Sequence, residues 1–317
     1  MLKAGAKIAV TGAAGYVGNV VCRDLLEKGY NVKAIDNFHK GHADALLSLV
    51  NNQQFEFYKG DVTCLDQMES LLSDVDGIIH LAAIVGFPAC DAQPALASAV
   101  NCEGTKNVLL AAVKHVPSCP LVYASTGSVY GAVDGICTEE SPKNTKTLYG
   151  ITKLMAEEYV MSYPNTVSLR FATGFGCSPC MRVNLLVNDL VYQAVTNGVL
   201  NVFEGNANRT FIHVRDMSRA IILSLEKLMN YDLSHKVYNV GDNNMNITKI
   251  GLANLISEIT GCKVFTSEFG KDKDCRDYIV DYSKINSEGF NCTVSIIEGI
   301  KELIKTSSIL QMRNPYA

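Results

Sequence analysis

The chain has 317 residues, enough for one large domain or a large domain with a smaller one attached. Hydrophobic residues make up 48% and charged residues 19%, with a formal charge of -4 and a pI near 5.9. That balance gives no electrostatic footing for nucleic acid or an anionic membrane, and no apolar run approaches the ~20 residues a membrane span requires.

An apolar run of strand length beginning at Lys7 feeds a glycine turn, in which Gly12, Gly15 and Gly18 stand three apart, and Tyr16 to Glu27 follows as an amphipathic helical pattern. Strand, turn and helix in that order make an anion site. Gly12 permits the tight turn, Gly15 lets a pyrophosphate approach, Gly18 lets the helix pack close, and the helix N-terminus presents free N–H groups. The next strand, Asn31 to Asp36, ends in a carboxylate. Placed there, Asp36 accepts hydrogen bonds from adenosine ribose hydroxyls and repels a 2′-phosphate, which favours NAD over NADP. His39 and Lys40 lie past the strand end and read as solvated loop residues.

Strand Phe55 to Val62 ends where Asp61 and Val62 would bracket an adenine. A short helix from Leu65 to Leu72 and a buried strand from Asp76 to Ala83 follow, the latter closing on small residues that leave room for a ligand. A long helical pattern from about Pro94 to His115 and a strand from Cys119 to Ser125 continue the alternation of a parallel sheet with helices on both faces. Beyond Arg170 the alternation fails. A loop from Gly174 to Arg182 precedes a helix from Val183 to Asn197 and a strand from Leu200 to Phe203; Arg209 to Val214 leads into a helix from Met217 to Met229. Helices near Ile247 to Ile259 and Val294 to Lys305, with short strands at Lys236 to Val240 and Lys263 to Thr266, complete the chain. Residues 1–172 read as a dinucleotide-binding domain and 173–317 mainly as a substrate-binding lobe, with segments returning to the main sheet.

The eleven cysteines are scattered, and their odd number, with no secretory signal in view, suits a reducing cytoplasm. Cys177 and Cys180 have redox or zinc spacing but neither a second pair nor an adjacent histidine; they read as structural, with metal or redox service as the alternative. His213 reads as a packed strand histidine, and no metal constellation appears.

A glycine motif alone is weak, so the weight falls on Ser125-Thr126-Gly-Ser-Val-Tyr130-Gly and on Tyr149-Gly-Ile-Thr-Lys153. A tyrosine and a lysine four apart share one face of a helix, where the ammonium stabilises a phenolate. An unperturbed tyrosine titrates near roughly 10, so service as a base near neutrality needs about 4 kcal/mol of help. A nearby cation supplies ~1 to 3 pH units of it and an oxidised nicotinamide the remainder. Lys153 also suits the nicotinamide ribose, and Thr126 would orient the substrate hydroxyl whose proton Tyr149 removes.

Together these residues resemble the extended short-chain dehydrogenase/reductases, in particular their nucleotide-sugar epimerase and dehydratase branch. The resemblance rests on Thr11-Gly-Ala-Ala-Gly-Tyr-Val-Gly18, His80-Leu-Ala-Ala83, Val100-Asn101, Ser125-Thr126 before Val129-Tyr130-Gly131, Tyr149 with Lys153, Leu169-Arg170-Phe171, and Arg209-Thr-Phe-Ile-His-Val-Arg-Asp216. It implies an α/β, Rossmann-like doubly wound parallel sheet with a smaller C-terminal α/β lobe that grips a nucleoside diphosphate sugar. It also implies retained NAD and a homodimer built on the helices near 94–115 and 149–162. Cofactor contacts would come from Gly12, Gly15, Tyr16, Val17, Gly18, Asp36, Asn37, Asp61, Val62, Leu81, Ala82, Ala83, Asn101, Ser125, Tyr149 and Lys153. Substrate contacts would come from Thr126, Thr173, Asn184, Asn188, Arg209 and Arg276. The two arginines match diphosphate-gripping positions, with loop capping and a surface ion pair as their structural alternatives; Asn184 and Asn188 serve either the ligand or helix packing.

Departures from the branch separate its reactions. Dehydratases carry an Asp-Glu pair after the threonine, and here Gly127 and Ser128 stand instead. Without that acid and base, elimination loses proton-transfer steps each worth ~10² to 10⁴ in rate. The Phe171 to Asp189 segment is similar to a subgroup holding both epimerases and 4-dehydrogenases of nucleotide-activated sugars, with Thr173 where galactose epimerases carry asparagine. The expectation is an NAD-dependent nucleotide-sugar epimerase acting by transient oxidation at carbon 4. A 4-dehydrogenase releasing a ketosugar is the alternative, ahead of a dehydratase or a non-enzymatic NAD sensor.

Overall fold

The computed structural model describes residues 5–133, 135–233, 236–267 and 277–310. Among them, seven strands form one parallel sheet: β1 (Lys7–Thr11), β2 (Asn31–Asp36), β3 (Phe55–Lys59), β4 (Gly77–His80), β5 (Leu121–Thr126), β6 (Thr166–Phe171) and β7 (Val237–Val240). Their order is β7-β6-β5-β4-β1-β2-β3. It reverses between β1 and β4, whose ends align Thr11 with His80. Ligands of such sheets bind outside the carboxyl ends of the strands at this reversal.

Strand alternation sorts the core to two faces. Ile8 and Val10 of β1 join Val32, Ala34, Ile79 and Val122 under helices Gly18–Glu27 and Val214–Met229, which contribute Val21, Leu25, Ile221 and Leu225. Ala9, Ile35, Ile78, Leu121 and Tyr123 face the other way, against Val108, Ala112, Ala156 and Val160 of helices Thr105–His115 and Leu148–Met161. A third cluster, with Phe175, Val187, Phe211, Leu252 and Ile300, holds the C-terminal lobe together.

Helix Val214–Met229 and β7 come late in the chain yet complete the main sheet layer. Two local features differ from the sequence pattern. The segment read as one helix from Pro94 to His115 contains a π-helical turn at Ala99–Gly104, and a short helix, Phe87–Ala92, precedes it. The loop placed at Gly174–Arg182 starts later than expected, because Thr173–Phe175 forms a strand beside Phe211–His213. Among the described residues no helix is long and apolar enough to cross a membrane.

Candidate active site

The glycine turn sits at the sheet's reversal. Gly12 has a left-handed φ of 72°, and a Cβ there would lie 2.8 Å from Ala82 N, so only glycine lets β1 turn this close to the end of β4. A Cβ on Gly18 would run into the Gly12 carbonyl oxygen, which is the close helix packing expected of that position. On Gly15 a Cβ would meet only Gly12 O, at 3.2 Å. No side chain caps helix Gly18–Glu27, and its first turn carries no acidic residue. The cradle therefore suits an anion such as a dinucleotide pyrophosphate.

Asp36 is buried at the end of β2 and accepts from Ala14 N at 3.0 Å and Phe38 N at 2.7 Å. A carboxylate has about four lone-pair sites, so sites remain for ribose hydroxyls after the turn itself is fixed. Asp36→Ala is expected to weaken NAD binding by roughly 10- to 100-fold, as loss of a charged hydrogen-bond acceptor does. Isothermal titration would show it, and an unchanged affinity would count against this placement. Asn37 Nδ2 donates to Asp61 Oδ2 at 3.0 Å, joining the two residues past the ends of β2 and β3. Burial works to raise the Asp61 carboxyl, but Thr63 and Asn37 donors hold it below the usual carboxylate range. Val62 is buried beside it.

The floor of the site is a polar relay that sequence reading did not find. Thr11 Oγ1 lies 2.7 Å from His80 Nδ1 and accepts from Leu81 N and Ala82 N at 3.3 Å each, while His80 Nε2 lies 2.9 Å from Thr105 Oγ1. Burial, reinforced by the Lys153 charge, pushes His80 down to about 3, so the ring is neutral. Leu81 and Ala82 are thus pinned against the glycine turn, and Ala83 follows them, partly buried. Asn101, within the π turn, accepts from Ile84 N at 2.8 Å and donates to Ile84 O and Thr152 Oγ1 at 3.0 Å each. Its buried amide ties the loop after β4 to the helix bearing Tyr149.

Thr147 starts that helix, Leu148–Met161, by accepting from Gly150 N at 3.1 Å. Tyr149 is partly buried in its first turn and Lys153 is buried one turn on, with Nζ 4.0 Å from the centre of the Tyr123 ring. Burial lowers Lys153 to about 7, opposed by Glu157, Cys102 and Cys90. An unfolded lysine holds its proton to about 10.4. The unfolded chain therefore binds more protons between about 7 and 10, and this residue's contribution to folding improves as pH rises through that window. Cofactor-free wild type is expected to gain on Lys153→Met by up to about 1.4 kcal/mol per pH unit there. Urea midpoints at pH 7 and 9 would measure it, and parallel shifts in both proteins would refute it.

Ser125 and Thr126 close β5, and both are buried. Thr126 Oγ1 accepts from Ser128 N at 3.1 Å and lies 3.2 Å from Ser128 Oγ. A Cβ on Gly127 would come within 3.3 Å of the Tyr278 hydroxyl, so the position where dehydratases hold an acid is already crowded. Behind the helix that carries Tyr149, Glu157 receives Arg170 Nη2 at 2.6 Å, and Arg170 Nη1 donates to Tyr130 Oη at 2.9 Å and Glu139 O at 3.0 Å. Burial raises the Glu157 carboxyl and Arg170 outweighs it, leaving it below the usual range. Glu157 lies one helical turn past Lys153, which is the signal that could have found it.

On the lobe side, Tyr16 Oη donates to Gly176 O at 2.8 Å, and Ser178 Oγ donates to Tyr16 O at 2.7 Å. Val17, also partly buried, packs with Tyr16 against the lobe. Thr173 is partly buried in register with Phe211, whereas Asn184 is exposed. Asn188 is buried, accepts from Gly176 N at 3.0 Å and donates to Arg182 O at 2.9 Å, so its amide serves the loop. Arg209 is buried on strand Asn208–His213 and donates to Asn208 O at 2.9 Å. Arg276 lies outside the described residues. Cys177 and Cys180 are free thiols, and no metal-binding group of side chains occurs among the described residues. His213, fully buried, caps helix Val214–Met229 and meets Glu302 at 2.9 Å.

The sequence profile of the NAD dependent epimerase/dehydratase family matches residues 8–241. UDP-glucose 4-epimerase from Corynebacterium glutamicum is 31% identical, over 80% of this chain and 80% of its own. UDP-glucose 4-epimerase 3 of Oryza sativa is 28% identical over 99% of this chain and 91% of its own. Among solved structures, UDP-glucose 4-epimerase from Thermotoga maritima with UDP-glucose aligns with a TM-score of 0.84 at 26% identity, covering 97% of this chain and 100% of that one. UDP-glucuronic acid 4-epimerase from Bacillus cereus, in complex with UDP-glucuronic acid and NAD, gives 0.82 at 27%, covering 96% and 99%.

Proposed function

The chain belongs to the NAD dependent epimerase/dehydratase family and is an NAD-dependent nucleotide-sugar epimerase; on that premise we propose that it inverts carbon 4 of a uridine diphosphate sugar through Tyr149, Lys153 and Thr126. The observation that carries the reading is that Tyr149 and the buried Lys153 share one helix, whose first turn packs on the turn after β5, in a sheet whose reversal carries a glycine cradle suited to a dinucleotide. The reading is supported by relatives and structural neighbours that are named as 4-epimerases of UDP-sugars.

NAD, when bound, takes a hydride from the sugar carbon and returns it. The cradle at Gly12, Gly15 and Gly18 holds its pyrophosphate, Asp36 its adenosine ribose, and Lys153 its second ribose. Thr126 orients the sugar hydroxyl, and Tyr149 Oη receives that hydroxyl's proton and returns it to the same oxygen when the hydride comes back to the opposite face of the turned carbonyl carbon. Lys153 lends charge to the phenolate. Arg209 and Arg276 hold the diphosphate, and turning the sugar between the two steps leaves that grip intact. Gly127 and Ser128 supply no acid for eliminating water. Incubation with UDP-glucose, UDP-galactose and UDP-glucuronate, read by NMR, tests the reading: a carbon-4 epimer is expected, and accumulation of a ketosugar without epimer would defeat it.

The apolar residues Leu110 and Val113 on helix Thr105–His115 and Ile151 and Met155 on helix Leu148–Met161 are exposed at three- and four-residue spacing. Such stripes on neighbouring helices support a homodimer through this face. Val113→Glu with Met155→Glu is expected to give a monomer in sedimentation, where the wild type sediments at twice the chain mass. The free thiols suit residence in a reducing cytoplasm.

A further inference from the structure

His213 is fully buried, titratable and unused by the chemistry above, and three elements meet on its ring. It ends strand Asn208–His213 in register with Phe175, and it caps helix Val214–Met229, its Nδ1 accepting from Arg215 N at 3.2 Å. On the other edge of the ring, Nε2 meets Glu302 Oε2 at 2.9 Å, from the C-terminal helix Ile296–Leu310. Two glycines make room for it. A Cβ on Gly176 would stand 2.1 Å from His213 Nε2, one on Gly299 would stand 3.1 Å from its Cδ2, and the Phe175 ring lies edge-on at 5.2 Å. Gly176 is also what ties the lobe to the cofactor cradle: its carbonyl oxygen accepts from Tyr16 Oη at 2.8 Å and its N–H donates to the buried Asn188 at 3.0 Å.

The cap fixes the tautomer. A backbone N–H donating to Nδ1 requires a lone pair there, so the neutral ring carries its hydrogen on Nε2 and donates it to Glu302. A second proton has to go on Nδ1, where it would face the Arg215 N–H, and the wedged ring can yield only by pressing on its glycine neighbours. The charged groups at the ring are Glu302 and Arg215, whose Nη2 donates to the same Glu302 oxygen at 3.1 Å. Burial works to raise the Glu302 carboxyl, but His213 and Arg215 hold it below the usual carboxylate range, so it stays ionised where histidines titrate. Asp216, next on the helix, is turned onto Thr293 N and Val294 N.

Resting on NAD as the ligand of the cradle, we propose that His213 is a positioning residue for the cofactor, working as a proton-sensitive latch. Neutral, it seats Gly176 and, through it, Tyr16 on the glycine turn; protonated, it gives up the helix cap, displaces Gly176 and loosens the bound dinucleotide.

The test follows the release of bound NADH into excess NAD, by the fluorescence of NADH itself, at about pH 8 and about pH 5.5. Wild type is expected to release it about 10-fold faster at the lower pH, the worth of one helix cap. His213→Asn offers Arg215 N an acceptor that takes no proton, so its release is expected to lie within about 3-fold of wild type at the higher pH and to stay flat on acidification. Lys153, lowered by burial to about 7, titrates in the same window but is common to both proteins, so the difference between them isolates His213. Glu302→Gln withdraws the charge that favours a doubly protonated ring, and acid release should begin at lower pH than in wild type. Equal release by wild type at both pH values would overturn the inference, as would an acid response that survives in His213→Asn. Should that variant fail to fold, an acid response unchanged in Glu302→Gln would overturn it instead. A wild type that binds no NADH at the higher pH would overturn the reading of the cradle as well.

Discussion

Tyr149→Phe is expected to lower kcat by about 10³-fold while leaving bound NAD and the unfolding midpoint close to wild type. The ring stays in the first turn of its helix, so packing is conserved and only the hydroxyl is lost. His80 cannot take its place, because both its nitrogens are engaged by Thr11 and Thr105. Retention of more than a tenth of wild-type turnover would move the proton transfer to another group. Since the phenol acts in the transition state, the loss should appear in kcat rather than in KM.

The second large effect concerns stability. Glu157→Ala is expected to destabilise the fold by about 3–5 kcal/mol, because it leaves the Arg170 guanidinium buried without its counter-charge. Both side chains are almost fully buried, and the pair is joined by Arg170 Nε at 3.1 Å as well as Nη2 at 2.6 Å. Ser168 Oγ, which donates to Glu157 Oε2 at 2.8 Å, loses its acceptor in the same step. Glu157→Gln keeps one acceptor oxygen and the side-chain volume, and should lose less. Urea unfolding of the three proteins decides it: a loss below about 1 kcal/mol in the alanine variant would show that Tyr130 and the Glu139 carbonyl suffice for Arg170.

The parts of the site legible in the sequence are those written in short-range spacing. The glycine turn, the carboxylate ending the next strand, and Tyr149 with Lys153 each declare themselves within one element, where strand alternation or helical period fixes geometry. The doubly wound sheet follows from the alternation of such elements. The network behind the catalytic helix is written over long range: Arg170 meets Glu157 from the next strand, Tyr130 from the turn after β5, and Tyr130 meets Asn239 on β7. Nothing local in those residues distinguishes a buried pair from a solvated one. The π turn at Ala99–Gly104 is hidden for another reason, since no proline interrupts the helical run around it.

The bonds from Tyr16 to Gly176 and from Ser178 to Tyr16 and Asn19 bear on how this protein can be recombined. They cross from the glycine turn to the loop that begins the C-terminal lobe, so a boundary drawn at residue 172 divides the chain but not the structure. A chimera that imports a foreign lobe to change sugar preference would have to carry residues 16–19 and 176–178 as one unit. Grafts that exchange only one partner should lose cofactor affinity before they gain a new substrate.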